Sequence, residues 1–295
     1  MNKGLNMGKY MQESNDHIIS WIDSAPGEFN IRDIELDFEK RFILEQRFER
    51  MVQIGYIERV GRRRGWYRKI ESDCEKMDFI NASDSPVDLW LPLRLSDYIQ
   101  THSGNILIVA GCKSSGKTAF LLNTAKENMM KDWDVNYFSS EMDAGELKLR
   151  LKKFSDISID QWRMNAYRRG GDFQDVIKPG TNSLNIIDFL EVHDEFYVVG
   201  RRLKEIHDKL KGAVAIIGLQ KNPGQDTGLG GWRSMEVCRM AIALEYGTCK
   251  ITEGKNWADP EKNPVGWKMN FKLVDGCRII PGREGWQRET RKGDK

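Results

Sequence analysis

Eight consecutive residues, Gly111, Cys112, Lys113, Ser114, Ser115, Gly116, Lys117 and Thr118, carry the most specific chemistry in the chain. Their pattern is glycine, four residues, glycine, lysine and a hydroxyl residue, the spacing of a phosphate-binding loop. Gly111 and Gly116 let the backbone curl so that its N–H groups point inward at phosphate oxygens. Lys117 supplies a point charge for the terminal phosphates, and the Thr118 hydroxyl is a suitable oxygen ligand for Mg²⁺. The apolar run from Asn105 to Ala110 reads as a strand buried on both faces. From about Lys117 to Met130 a helix is expected, with its positive end aimed at the same anion. This context predicts a bound nucleoside triphosphate with Mg²⁺.

Three later apolar runs end in residues of matching chemistry. Val135 to Ser140 stops at Glu141, Leu184 to Phe189 carries Asp188 near its end, and Ala213 to Leu219 leads into Gln220, Lys221 and Asn222. An aspartate at the second of these ends holds Mg²⁺ through water. The segment after it adds Glu191, His193 and Glu195. Tyr197 to Leu210 has helical periodicity, whereas Asn165 to Gly180 reads as irregular. Strands alternating with helices predict an α/β fold, a mostly parallel sheet with helices on both faces.

The order of these motifs, together with Ser-Ser-Glu-Met around Glu141, resembles the RecA/DnaB-type ATPases from Leu89 to about Ile280. The resemblance implies a RecA-like core in which Glu141 orients and deprotonates the attacking water. It likewise implies that Gln220 senses the terminal phosphate. Pro223 to Ser234 is Gly-rich, and in DnaB-type motors a loop at this place binds single-stranded DNA. Arg233 and Trp232 offer charge and stacking there, and an ordinary surface loop fits the composition equally well. The turn Lys262-Asn263-Pro264-Val265-Gly266 resembles a DnaB region whose basic residues reach a neighbouring subunit's nucleotide, so Lys255 and Lys262 are trans-acting candidates. A lysine stands here where that pattern has arginine, and the spacing is stretched.

The first 70 residues read as a separate module. Helices are expected over Asp16 to Ser24, Ile31 to Phe38 and Lys40 to Ile54, the last with Phe42, Ile43, Phe48, Met51 and Val52 as its apolar stripe. Tyr56 to Val60 and Trp66 to Ile70 then form a hairpin around Gly-Arg-Arg-Arg-Gly. Three helices and a hairpin resemble the winged helix-turn-helix family. Between Arg59 and Lys69 lie six basic residues and no acidic one. Arg62, Arg63 and Arg64 are therefore candidates for contacting duplex DNA, with a solvated turn on a protein-binding module as the other reading.

Composition frames these expectations. A net charge of +2 over 295 residues confines any nucleic-acid surface to a local patch. The five cysteines are scattered without metal-ligand spacing, and no apolar run is long enough to span a membrane. Reduced thiols and a cytoplasmic location are expected. The expected organisation is a winged-helix domain over 1–70, a linker over 71–86, a RecA-like ATPase domain over 87–282 and a charged, solvated tail over 283–295. Val87 to Tyr98 is expected to pack on that core or on a neighbouring subunit. The functional expectation is a DNA-binding, oligomeric ATPase, helicase-like or DNA-coating, in replication or recombination. The alternative is a nucleotide-gated regulator or scaffold whose winged helix binds DNA or a protein.

Overall fold

Strands buried on both faces need apolar side chains at successive positions, and Ile106 to Ala110, Leu184 to Ile187 and Val214 to Leu219 supply them. The computed structural model describes residues 18–23, 25, 27–34, 41–71, 74, 76–190 and 197–288. It divides the chain into two compact units, Met1–Ala82 and Ser83–Lys295.

In the smaller unit the described elements are a helix over 18–23 (α1), β1 (Glu28–Asn30), α2 (Arg41–Gln53), β2 (Ile57–Arg59) and β3 (Trp66–Lys69). The three strands form an antiparallel sheet in the order β1-β3-β2. Leu44, Phe48 and Met51 recur at helical spacing on α2 and pack with Ile18, Ile22, Phe29, Ile57 and Tyr67. Phe48 sits at the centre, with the Tyr67 ring 4.9 Å away edge-on. Ile43, expected on the buried stripe, faces outward instead. The expected helix from Ile31 is a short 3₁₀ turn, Ile31–Asp33, closed by reciprocal bonds between Asn30 and Asp33, and residues 35–40 lie outside those described. Gly55, at φ +72°, ends α2: its N–H bonds to Val52 and that of Tyr56 to Met51, the paired closure that a left-handed residue permits.

The larger unit holds β4 (Ile106–Gly111), α3 (Lys117–Asn128), β5 (Asp134–Ser139), α4 (Ala144–Leu151) and β6 (Asn165–Arg168). It continues with β7 (Ser183–Asp188), α5 (Tyr197–Leu210), β8 (Val214–Gln220), β9 (Met240–Glu245) and β10 (Thr248–Gly254). β11 (Trp267–Val274), β12 (Arg278–Pro281) and β13 (Gln287–Arg288) complete it. These strands form one sheet in the order β12-β11-β10-β9-β4-β8-β7-β5-β6, with β13 on β11. The six strands from β9 to β6 are parallel, and the remainder are antiparallel. This is an α/β fold with a mostly parallel central sheet, the architecture of a RecA-like core.

Successive residues of β4 point to opposite layers. Leu107 and Val109 share a hydrophobic layer with Phe120 and Leu121 of α3, while Ile106 and Ile108 share the other layer with Leu203, Ile206 and Leu210 of α5. Each such aliphatic side chain contributes about 1.5–3 kcal/mol by leaving water, so the two layers fix the sheet between its helices. Leu89, Leu91, Leu93 and Leu95 join the α3-side layer, so Val87 to Tyr98 packs on this unit's own core. Two expectations for this larger unit need correction. Asn165–Arg168, read as irregular, is an edge strand paired in parallel with β5. The tail expected to be solvated from 283 instead buries Trp286, whose indole N–H donates to the Leu93 carbonyl at 2.8 Å, and β13 pairs with β11. Residues 289–295 lie outside those described.

Candidate nucleotide site

Parallel register decides which side chains can meet. Gly111 stands opposite Gln220 on one side and Leu244 on the other, and Ser139 stands opposite Asp188. The carboxyl-end edge of the sheet thus gathers Gly111 to Thr118, Glu141, Asp188 and Gln220, with Glu141 two residues past the end of β5.

The loop from Gly111 to Thr118 is held from several sides. Ser114 adopts φ +62° and Gly116 +96°, and α3 begins immediately afterwards. A Cβ at Gly111 would lie 2.6 Å from Ser115 Oγ, and that hydroxyl already donates to the Cys112 carbonyl at 2.9 Å. Tyr246, on the β9–β10 turn, donates its hydroxyl to the Lys113 carbonyl at 3.0 Å. Such a loop, with bare glycine backbone and a helix N-terminus, is shaped for anionic oxygens.

Lys117 Nζ lies 4.7 Å from the centroid of the Phe189 ring. Burial pulls its pKa below the usual lysine value, against the opposing charges of Asp188 and Glu141, so both carboxylates lie within its electrostatic reach. Asp188 is itself buried and is pushed upward chiefly by desolvation. Thr118 Oγ1 donates to Asp188 Oδ1 at 3.3 Å, and Tyr137 donates to Oδ2. The hydroxyl and carboxylate oxygens at this point are the hard donor set that Mg²⁺ takes, so the residues present fit that ion.

Serines position Glu141. Ser140 donates its N–H to the Asp188 carbonyl at 3.0 Å, and its Oγ accepts the Phe189 N–H at 3.3 Å. Ser139 Oγ accepts the Met142 N–H at 2.9 Å, which turns the chain just past Glu141. Asp143 then caps α4 through the Glu146 N–H at 2.8 Å. Glu141 is left exposed at the mouth of the site.

Residues 95–212 match the family described as DnaB-like helicase C terminal domain. The matched segment runs from Leu95 to just past α5 and includes the phosphate loop, Glu141 and Asp188. It covers less than half of the chain and stops before Gln220. No curated protein matches the chain. Among the described residues no helix is long and apolar enough to cross a membrane.

The other residues singled out in the sequence fall elsewhere. Lys255 and Lys262 follow β10, whose last residue pairs with Met240 at the start of β9, the sheet end remote from this chain's own phosphate loop. Lys255 Nζ donates to the Glu236 carbonyl at 3.4 Å, and Lys262 pairs with Asp259 at 2.9 Å. The Gly-rich stretch ends in a 3₁₀ turn, Gly231–Met235, with Ser234 and Met235 buried while Trp232 and Arg233 stay exposed. In the smaller unit Arg63 pairs with Glu28 and lies 4.9 Å over Trp66, and Arg59 and Arg68 pair with Glu49 and Glu58. Glu191, His193 and Glu195 lie outside the described residues.

Sequence reading missed one cluster. Lys221 is fully enclosed and pairs with Glu245, and it also donates to the carbonyls of Gln225 at 2.7 Å and Asn222 at 3.3 Å. Glu245 further accepts the Cys112 thiol at 3.3 Å, and its pKa is held below the usual glutamate value chiefly by Lys221. The available signal was an ionisable residue directly after a seven-residue buried strand, a place where a charge needs a partner.

Proposed function

We propose that this chain hydrolyses ATP and couples the cycle to DNA, as an oligomeric motor or DNA-coating factor in replication or recombination. One observation carries the ATPase half: the phosphate loop, Glu141, Asp188 and Gln220 meet at the same edge of one parallel sheet. Lys117 and the loop amides hold the phosphates. Glu141, exposed and separate from the phosphate cradle, takes the proton of the attacking water. Gln220, beside Gly111, feels the terminal phosphate. Thr118 and Asp188 would hold Mg²⁺, which when bound neutralises charge on the phosphate oxygens.

Two substitutions test this reading. Lys117→Ala should weaken nucleotide binding and abolish hydrolysis, and unchanged turnover would sink the assignment. Glu141→Gln keeps the shape but cannot take a proton. It should bind ATP normally and lose about 10²–10⁴-fold in turnover. Normal hydrolysis by that variant would move the base elsewhere.

The DNA half is supported by Arg62 and Arg64 on the hairpin turn of the smaller unit, read as a wing, and by Trp232 and Arg233 on the larger. Lys255 and Lys262, remote from this chain's own loop, suit a role toward the nucleotide of a second copy. A second reading, a nucleotide-gated regulator or scaffold, is favoured by the glutamates that already neutralise Arg59, Arg63 and Arg68. Strand displacement separates the two, because only a motor unwinds duplex.

A further inference from the structure

Tyr137 occupies the middle of β5, fully buried in the layer that packs against α3. Apolar neighbours surround its ring, and phenylalanine would fill the same space. Packing therefore does not account for the hydroxyl. A buried hydroxyl without a partner is unfavourable, and this one has a partner: it donates to Asp188 Oδ2. Register explains the reach. Ser139 stands opposite Asp188, and Tyr137 lies two residues earlier on the same face, so its ring extends along the sheet to the carboxylate. The other oxygen, Oδ1, is left to Thr118 at 3.3 Å.

We infer that Tyr137 is a positioning residue for Mg²⁺, its hydroxyl fixing Oδ2 of Asp188 so that Oδ1 faces the ion beside Thr118. The inference rests on the nucleotide-site reading above and adds a residue that no phosphate-loop motif specifies. Partners one step behind a metal ligand set its orientation, and their loss typically costs about 10–100-fold in metal affinity. Tyr137 is fully buried, and its hydroxyl is engaged by the Asp188 carboxylate. Its removal should therefore alter the demand for Mg²⁺ and leave the grip on phosphate intact.

The test is binding of a fluorescent, non-hydrolysable ATP analogue to the full chain, titrated with Mg²⁺ and repeated in EDTA. Tyr137→Phe should raise the Mg²⁺ concentration for half-maximal binding by about 10-fold or more, with affinity in EDTA within about 2-fold of wild type. Asp188→Asn provides the second arm. It should itself lose the Mg²⁺ dependence, and adding Tyr137→Phe to it should change nothing further. A hydroxyl that only supports the fold would lower affinity in EDTA, or would add its effect to that of Asp188→Asn, and either result overturns the inference. An unshifted Mg²⁺ midpoint in Tyr137→Phe overturns it as well, while leaving the nucleotide reading intact. Wild-type protein that binds the analogue without any Mg²⁺ dependence would overturn both.

Discussion

Removing Glu245 should destabilise the larger unit by an amount that follows from what it leaves behind. The Lys221 side chain is 0% exposed and Glu245 34%, and among the described residues the carboxylate is the charge that faces the enclosed ammonium. Breaking such a pair from one side costs about 3–5 kcal/mol, because a charge stays behind without its partner. The part-exposure of Glu245 favours the lower end, about 3 kcal/mol, since water already screens it. For a unit the size of Ser83–Lys295, each kcal/mol moves the melting temperature by about 2–4 °C, so Glu245→Leu should lower it by about 6–12 °C. Lys221→Met combined with Glu245→Leu should recover most of that loss, because an apolar pair of similar volume has no buried charge to compensate.

The assay is thermal unfolding by calorimetry, with single and double variants run together. A shift under about 2 °C for Glu245→Leu, against the cost argued above, would refute the reasoning. A double variant as damaged as the single would refute it equally. Acidity gives a second readout. Lys221 holds the Glu245 pKa below the ordinary glutamate value, so the pair's contribution is fully present above that value. It should fade as pH falls through the lowered native pKa, and Lys221→Met should flatten that part of the stability profile.

The hairpin turn of the smaller unit and the thiols give two further tests. Arg63 is engaged with Glu28 and Trp66, whereas among the described residues no such pairing holds Arg62 or Arg64. Replacing Arg62 and Arg64 by alanine should therefore reduce the slope of log affinity for duplex DNA against log salt by about 2, one for each lost phosphate contact. Equal affinities and slopes in wild type and variant would remove this turn as a DNA element. Cys74 is exposed and the other four cysteines are buried, with Cys238 pushed up to about 12 by burial. Native protein should thus react with a thiol reagent at one site at pH 8 and at five after denaturation, and a second fast thiol in native protein would contradict the structure.

What the sequence made legible was local. The phosphate loop is contiguous, and Glu141, Asp188 and Gln220 each end an apolar run, so position along the chain was enough to nominate them. Contacts between strands were not legible. Lys221 meets Glu245 across β4, and Tyr137 meets Asp188 across one pair of strands, and neither pairing leaves a periodic trace. β6 was missed because Asn165 to Arg168 is exposed at every position, as an edge strand can be, and so lacks the apolar alternation that reveals strands. Trp286 was missed because a single buried indole sits in a run of charges whose average reads as solvent-facing.

Why the strand-end residues converge is a matter of length and register. β4, β5 and β7 are each six residues long, and β8 is seven. Paired in parallel, Gly111 falls level with Gln220, and Ser139 with Asp188. A strand that emerges where its apolar run stops must then deliver its next polar residue to the same edge as its neighbours. Slipping β7 by one residue would turn Asp188 to the opposite face, away from Thr118 and Tyr137, and would push Leu184 and Ile186 out of the α3-side layer. The packing that fixes register is therefore also what aligns the proposed chemistry. The candidate site is a consequence of four apolar runs of nearly equal length, and any substitution that shifts their pairing should disable nucleotide binding without touching a residue of the phosphate loop.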